Sequence, residues 1–108
     1  QEEIFGPVVS IIRFENEEDL IEKANNVVYG LSAGVWSQDV GRIHRVANAL
    51  KAGTIWVNTY RMLHYMLPYG GYKMSGIGRE NGLEVLNHYT EVKTVVVNLS
   101  EEIVDPWG

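Results

Sequence analysis

The sequence contains no cysteine among its 108 residues. This absence excludes disulfides, thiolate metal sites and a cysteine nucleophile within the chain. Long apolar runs are missing too, because the longest, such as Thr94–Val97, extend over only four or five residues. A helix that crosses a bilayer needs about 20 apolar residues. We therefore expect neither membrane insertion nor thiol chemistry from these residues.

Concentrated positive charge is also missing. Nine Lys and Arg stand against 14 Asp and Glu, the formal net charge is -5, and the basic residues are scattered. Nucleic-acid binding needs a dense basic face, so we expect no nucleic acid partner. The histidines His44, His64 and His88 do not stand at metal-ligand spacing and no carboxylate cluster joins them, so we expect no metal site.

The N-terminus carries neither a leader nor an initiating methionine. Residues 1–15 contain no apolar segment of a signal peptide, which favours a cytoplasmic protein. The chain begins at Gln1 rather than Met, so we expect a truncated polypeptide. Hydrophobic residues make up 45% and charged residues 21%, the balance of an ordinary globular domain or part of one.

Strand and helix patterns alternate over the first half of the chain. β-branched and aromatic residues predict the strands, while Asn16 and Asp39 are good N-caps for two amphipathic helices. Two helical crossovers between apolar strands favour an α/β fold with a parallel sheet. The predicted β-α-β-α-β order is Val8–Phe14, Glu17–Asn26, Leu31–Trp36, Val40–Leu50 and Thr54–Asn58.

The pattern changes after Asn58. Residues 59–78 lack helical or strand periodicity, and a loop of this length in a compact domain is usually functional. A short helix over Glu80–Tyr89 follows, with Leu83 and Leu86 facing inward. Next comes Thr90–Leu99, a C-terminal edge strand that would pair with another chain. Residues 100–108 form an acidic tail.

Glycines in this loop invite a phosphate-binding interpretation, which the spacing does not support. Ile77 stands where the P-loop that starts at Gly71 would require a lysine, and that lysine is the charge partner of the phosphates. Gly76 to Gly82 is one residue too long for the dinucleotide-binding glycine pattern. We expect these glycines to allow a tight, packed loop.

Glu3 and Phe5 form a more specific pair. In an extended segment, residues two apart project in the same direction. A carboxylate can accept two hydroxyl hydrogen bonds, as from a ribose, and an aromatic ring can pack against a flat heterocycle. A glutamate at a helix end and a core phenylalanine would explain the same two residues, and on physical grounds alone that simpler interpretation is favoured.

Five segments, in order, resemble the aldehyde dehydrogenase superfamily. Together they cover residues 1 to 99. The segments are Glu2-Glu3-Ile4-Phe5-Gly6-Pro7-Val8, Ala24-Asn25-Asn26 with Tyr29-Gly30-Leu31, Ala52 to Asn58, Pro68 to Glu80, and Tyr89 to Val95. The resemblance implies that residues 1–89 are the C-terminal part of the catalytic domain, 90–99 an oligomerisation strand and 100–108 an acidic tail.

The same resemblance implies roles for individual residues. Glu3 would hydrogen-bond the nicotinamide ribose of NAD or NADP, and Phe5 would pack beside the nicotinamide ring. The loop after Asn58 would form one wall of the substrate tunnel. Three of its residues fall at positions that often face the aldehyde: Arg61, Leu63 and Tyr69. The family's common small or aromatic residues are replaced in this loop, which leaves the identity of the aldehyde open.

The reaction of the family indicates which catalytic groups are missing from these 108 residues. A cysteine thiolate attacks the aldehyde, the thiohemiacetal gives a hydride to NAD(P)+, and water activated by a glutamate releases the carboxylic acid. That cysteine, that glutamate and the oxyanion-hole asparagine belong to sequence upstream of the matching segments. We therefore expect no catalytic residue in this chain and no aldehyde oxidation by the 108 residues alone.

Two alternatives remain open. One is an oligomerisation or interaction module without a catalytic role, which would assemble through the Thr90–Leu99 edge as a homo-oligomer. The other is a stand-alone nucleotide binder, which would have to bind NAD tightly without the rest of an enzyme. A continuous upstream reading frame carrying a cysteine would favour the enzyme interpretation over both.

Overall fold

A computed structural model describes residues 1–102, 105, 107 and 108 of the chain. All helices and strands of these residues lie in one central region, residues 15–89, which we call the body. Residues 1–14 (the N-terminal arm) and residues 90–99 (the C-terminal arm) flank it. Part of the predicted acidic tail, residues 103, 104 and 106, lies outside the described residues.

The two predicted helices are confirmed, and both begin where their caps predict. The Asn16 side chain accepts a hydrogen bond from the backbone N of Asp19 at 2.9 Å. The Asp39 side chain accepts one from the backbone N of Arg42 at 3.0 Å. Each bond satisfies one of the N–H groups that a helix start leaves without a partner. The helices are α1, Glu17–Asn25, and α2, Val40–Ala49.

Four short strands accompany the helices. The predicted parallel pairing is confirmed for β2 and β3, in which Ser32 lies opposite Thr54 and Val35 opposite Val57. A second, antiparallel pair joins β1 and β4, which the sequence did not predict because each has only two residues. The strands are β1, Tyr29–Gly30; β2, Ser32–Val35; β3, Thr54–Val57; and β4, Tyr72–Lys73.

Two predicted strands do not form in this structure. Val8–Phe14 and Thr90–Leu99 carry no strand pairing among the described residues, so the β-α-β-α-β order loses its first member and the edge strand has no sheet. The physical reason is that a strand needs a neighbour for its N–H and C=O groups. Both segments are instead exposed, with Ile11 at 89% and Val92 at 98%.

The predicted helix over Glu80–Tyr89 is shorter than expected. A 3₁₀ turn, Leu83–Val85, leads into α3, Leu86–Tyr89. Gly82, with φ 63°, lies outside the helical region and delays the start. The inward positions predicted for Leu83 and Leu86 are wrong here, since they are 82% and 54% exposed.

The buried core is small. Val46 of α2 and Trp56 of β3 are the buried apolar residues of the described chain, at 2% and 7% exposure. The Cα radius of gyration is 22.1 Å, whereas a compact domain of this length would have about 13 Å. The excess reflects the two extended arms. None of the helices in the described residues is long and apolar enough to span a membrane.

Candidate functional site

The loop that follows β3 is held at its start by the end of that strand. Asn58 turns the chain with φ 52°, and its amide group bonds to Ser37 in both directions, at 2.9 Å each. The buried Trp56 donates its Nε1–H to the carbonyl oxygen of Met62 at 2.8 Å. Trp56 also meets the ring of Tyr60 edge-on, with centroids 5.2 Å apart. Residues 58–62 are therefore fixed to the parallel sheet.

Arg61, one of the predicted substrate residues, lies on this fixed stretch, and Leu63, another of them, follows directly after it. The Arg61 backbone has φ 58°, in the left-handed region that an arginine seldom occupies. Its guanidinium carbon lies 6.0 Å from the centre of the Tyr60 ring. Leu63 is 58% exposed. Both side chains face outward and are available to a ligand or to another part of a larger protein.

Tyr69, the third predicted substrate residue, lies in a different environment from Arg61 and Leu63. It forms two backbone hydrogen bonds with Glu80, at 2.7 Å each, which close the loop upon itself. Tyr69 also lines a cavity of about 380 Å³ together with Leu31, Arg79 and His88. Neither Arg61 nor Leu63 lines this cavity, so Tyr69 does not share it with the other two predicted substrate residues.

The second half of the loop is anchored by two cations whose roles the sequence did not reveal. Lys73 donates to the carbonyl oxygens of Asn25 and Val27, at 2.8 and 2.9 Å, where α1 has ended. Cations are favourable at the negative end of a helix dipole. Arg79 donates to the carbonyl oxygens of Gly71 and Gly78, at 3.0 and 2.6 Å. These motif residues therefore hold the loop in place.

Asn25 makes a similar bond between the two helices. Its side-chain nitrogen donates to the carbonyl oxygen of Ala49 at 2.9 Å, and its side-chain oxygen accepts from the backbone N of Lys51 at 2.8 Å. One residue thereby fastens the end of α1 to the end of α2. The Ala24-Asn25-Asn26 motif is thus structural at its central position.

Ion pairs add a further link between the helices. Arg45 of α2 donates to both carboxylate oxygens of Glu17 in α1, at 2.7 and 2.9 Å. This hydrogen bond from Arg45, aided by the charges of Arg45 and Arg42, lowers the pKa of Glu17. A cavity of about 600 Å³ lies beside this pair, with Leu20, Trp36 and Val46 in its lining. Its lining combines apolar side chains with the charged side chains of Glu17 and Arg42.

Glu3 and Phe5 lie in the N-terminal arm, away from these cavities. The Glu3 carboxylate makes no hydrogen bond within the described residues, and Phe5 is 99% exposed. The backbone N of Gly6 donates to Ile4 O at 2.7 Å, so the arm bends directly after Phe5. No hydrogen bond within the described part of the chain joins this pair to the loop. The structure therefore does not bring the five predicted residues into one site.

The chain belongs to the aldehyde dehydrogenase family, whose model matches residues 1–95. The match includes the three α-helices, the parallel strands, the loop, the N-terminal arm and residues 90–95 of the C-terminal arm. The resemblance carried by the sequence motifs is thereby confirmed. No cluster of three or more potential metal-ligating side chains occurs among the described residues.

Two relatives illustrate the range of similar proteins. A betaine aldehyde dehydrogenase from Brucella anthropi is 50% identical over 101 residues, which are 94% of this chain and 21% of the relative. A 2-aminomuconic semialdehyde dehydrogenase from Danio rerio is 57% identical over 97 residues, 90% of this chain and 20% of the relative. The chain thus spans about one fifth of the length of these relatives.

Solved structures share the conformation as well as the sequence. An NAD+ complex of aldehyde dehydrogenase from Bacillus cereus has a TM-score of 0.87 and 56% identity, covering 93% of this chain and 20% of that one. PnpE from a Pseudomonas species has a TM-score of 0.90 and 43% identity, covering 99% of this chain and 22% of that one. Coverage of 99% includes both arms, so their extended paths have counterparts in a larger protein.

Proposed function

We propose that this chain is the part of an NAD-dependent aldehyde dehydrogenase that contacts the nicotinamide ribose and forms one wall of the aldehyde site. The observation that carries the proposal is the family match over residues 1–95, which includes the arm and the loop that hold the proposed contacts. Because the chain covers about one fifth of its relatives, the remaining catalytic groups would come from other parts of the protein.

Glu3 and Phe5 are proposed to meet the cofactor. The exposed Phe5 ring has its full surface available for a flat heterocycle, and the Glu3 carboxylate has its oxygens free within the described residues. NAD is favoured because a similar solved structure is an NAD+ complex; NADP is the other possibility raised by the sequence. The bound cofactor would accept a hydride from the aldehyde carbon.

Arg61, Leu63 and Tyr69 are proposed as the substrate wall. Arg61 is exposed on a stretch fixed by Trp56, Leu63 is exposed directly after that stretch, and Tyr69 is part of a closed loop. The relatives act, by their names, on betaine aldehyde in one case and on 2-aminomuconic semialdehyde in the other. Relatives so different in substrate leave the identity of the aldehyde open.

The remaining parts follow from the same proposal. Residues 1–89 would complete the catalytic domain, residues 90–99 would add a strand to the sheet of a second copy in a homo-oligomer, and residues 100–108 would be an acidic tail. Such an enzyme is proposed to work in the cytoplasm. The 108 residues alone would not oxidise aldehydes, because they contain no cysteine to attack the carbonyl.

An interaction module remains the second candidate function, favoured by the exposed apolar C-terminal arm, with Val92 at 98% and Leu99 at 92%. A module of this kind would assemble with copies of itself and would have no cofactor contact. The two candidates differ in whether Glu3 affects turnover.

The Glu3→Gln variant of the full-length protein tests the enzyme proposal. Loss of charge-assisted hydrogen bonds to the ribose is expected to weaken NAD+ use about 10- to 100-fold, seen as a lower kcat/KM in NADH absorbance. Glu2→Gln removes the neighbouring charge and is the matched control, with little expected change. Equal kinetics for wild type and Glu3→Gln would contradict the cofactor role.

A further inference from the structure

The backbone of Arg61 has an unusual conformation. It combines a left-handed φ of 58° with neighbours that are fixed on both sides: Tyr60 against the ring of the buried Trp56, and Met62 through its carbonyl oxygen to the Trp56 Nε1. A non-glycine residue keeps such a conformation only where surrounding contacts impose it. The backbone of Arg61, from which the guanidinium extends, is therefore held at a defined place on the loop.

The charge of Arg61 is also unused within the described residues. The ion pairs found there involve Lys23, Arg42 and Arg45, while Lys73 and Arg79 donate to backbone oxygens. Arg61 has instead the Tyr60 ring at 6.0 Å, a contact that leaves its N–H donors available. An arginine fork of this kind matches a carboxylate, which it can bind through two parallel hydrogen bonds.

We propose that Arg61 selects aldehydes that carry a carboxylate at the end away from the reacting carbon, that is, semialdehydes of dicarboxylic acids. This inference rests on the proposed function, since it assigns a substrate class to the same wall. The neutral Leu63 nearby would contact the carbon chain between the two ends. An aldehyde that carries a quaternary ammonium group would be disfavoured, because two cations would then face each other with little water between them.

Three aldehydes of similar size test this selection in the full-length enzyme. Succinic semialdehyde carries the carboxylate, 4-methylpentanal replaces it by an uncharged group of similar size, and betaine aldehyde carries a cation. We expect kcat/KM to be about 10- to 100-fold higher for succinic semialdehyde than for 4-methylpentanal, as for one charge-assisted contact. Betaine aldehyde should be the poorest substrate of the three.

Variants at position 61 separate selection from a structural role. Arg61→Gln should remove the preference for succinic semialdehyde, so that its kcat/KM falls to about that of 4-methylpentanal, and Arg61→Lys should restore part of the preference. Arg61→Glu should raise activity on betaine aldehyde relative to wild type. Arg13→Gln, which removes an arginine from the N-terminal arm, is the matched control and should keep the wild-type order of substrates.

Two results would overturn the inference while leaving the proposed function intact. One is a wild-type enzyme that oxidises 4-methylpentanal as well as succinic semialdehyde. The other is an equal loss with all three aldehydes in Arg61→Gln, which would show that the guanidinium supports the loop. Absence of turnover with every aldehyde would instead overturn the proposed function, and this inference with it.

Discussion

The body and the two arms differ in how their residues are used. In the body, the backbone N of Gly53 donates to Gly30 O at 3.0 Å, and Val46 is 2% exposed. In the arms, Phe5 is 99% and Val92 98% exposed. Yet the family match runs from residue 1 to residue 95 and includes both regions. The contrast teaches that the pattern of the body is satisfied by contacts within the chain, whereas the apolar residues of the arms are left exposed within the described residues, and we expect other sequence to cover them.

Exposure of this extent supports that interpretation of the arms. Apolar patches of several hundred Å² on a protein surface usually mark contacts with another chain or domain. Each arm places a run of large apolar side chains in solvent: Val8, Val9, Ile11, Ile12 and Phe14 in one, and Val92, Val95, Val96, Val97 and Leu99 in the other. We expect the larger protein to cover both runs.

Alanine substitutions at one glycine of the body and one glycine of the N-terminal arm should give the largest difference in stability between the two regions. A Cβ on Gly53 would clash with the carbonyl oxygen of Gly70, whereas a Cβ on Gly6 would meet nothing within 4 Å. Gly53→Ala must push β3 away from the loop and is expected to cost about 3 kcal/mol. Gly6→Ala should change stability by less than about 0.5 kcal/mol. Urea unfolding followed by tryptophan fluorescence measures both; similar midpoints would break the comparison.

Alanine substitutions at the neighbouring Asn25 and Asn26 should give a smaller difference in stability. Asn25→Ala removes two hydrogen bonds that fasten α1 to the end of α2, and it should destabilise the body by about 2 kcal/mol. Asn26→Ala removes only an exposed bond from Gln1 in the N-terminal arm, at 3.1 Å, so we expect almost no effect. The same urea unfolding measurement applies, and a larger loss in Asn26→Ala would show that the arm stabilises the body.

Lowering the pH should have the smallest effect on stability, because the Glu17–Arg45 ion pair lies at the surface. Arg45 lowers the pKa of Glu17 in the folded chain, so the stabilisation is present above the unfolded-state pKa and is lost as the pH falls through the lower, folded pKa. Unfolding midpoints measured from pH 7 down to pH 3 should therefore decline less in Glu17→Gln than in wild type. An identical decline would mean that the pair does not contribute.

The sequence predicts an element of this fold well when the partners that stabilise the element are close in the sequence, and poorly when they are distant. Asn16 and Asp39 predict the starts of their helices because the interaction is local. Each side chain accepts a hydrogen bond from a backbone N–H only three residues further along the chain. Val8–Phe14 has strand composition but no partner among the described residues, so composition alone is insufficient. β1 and β4 escape prediction because Tyr29 and Lys73 are distant in sequence and pair over two residues.

The candidate site was predictable only in part for a related reason. Glu3, Phe5, Arg61, Leu63 and Tyr69 come from resemblance to a family, and their proposed roles need a cofactor and an aldehyde. Lys73 and Arg79 belong to the Pro68 to Glu80 segment that resembles the family, but their side chains bond to backbone oxygens that no motif reveals. Their role follows from three-dimensional contacts alone.

Hydrogen–deuterium exchange in the full-length protein tests most directly the claim that the arms serve other sequence. Amides of β3 should be protected through their pairing with β2. If a partner sheet covers the C-terminal arm, amides of residues 90–99 should be protected to a similar degree, although they have no strand partner in the described chain. Exchange of residues 90–99 at the rate of an unstructured peptide would contradict the account.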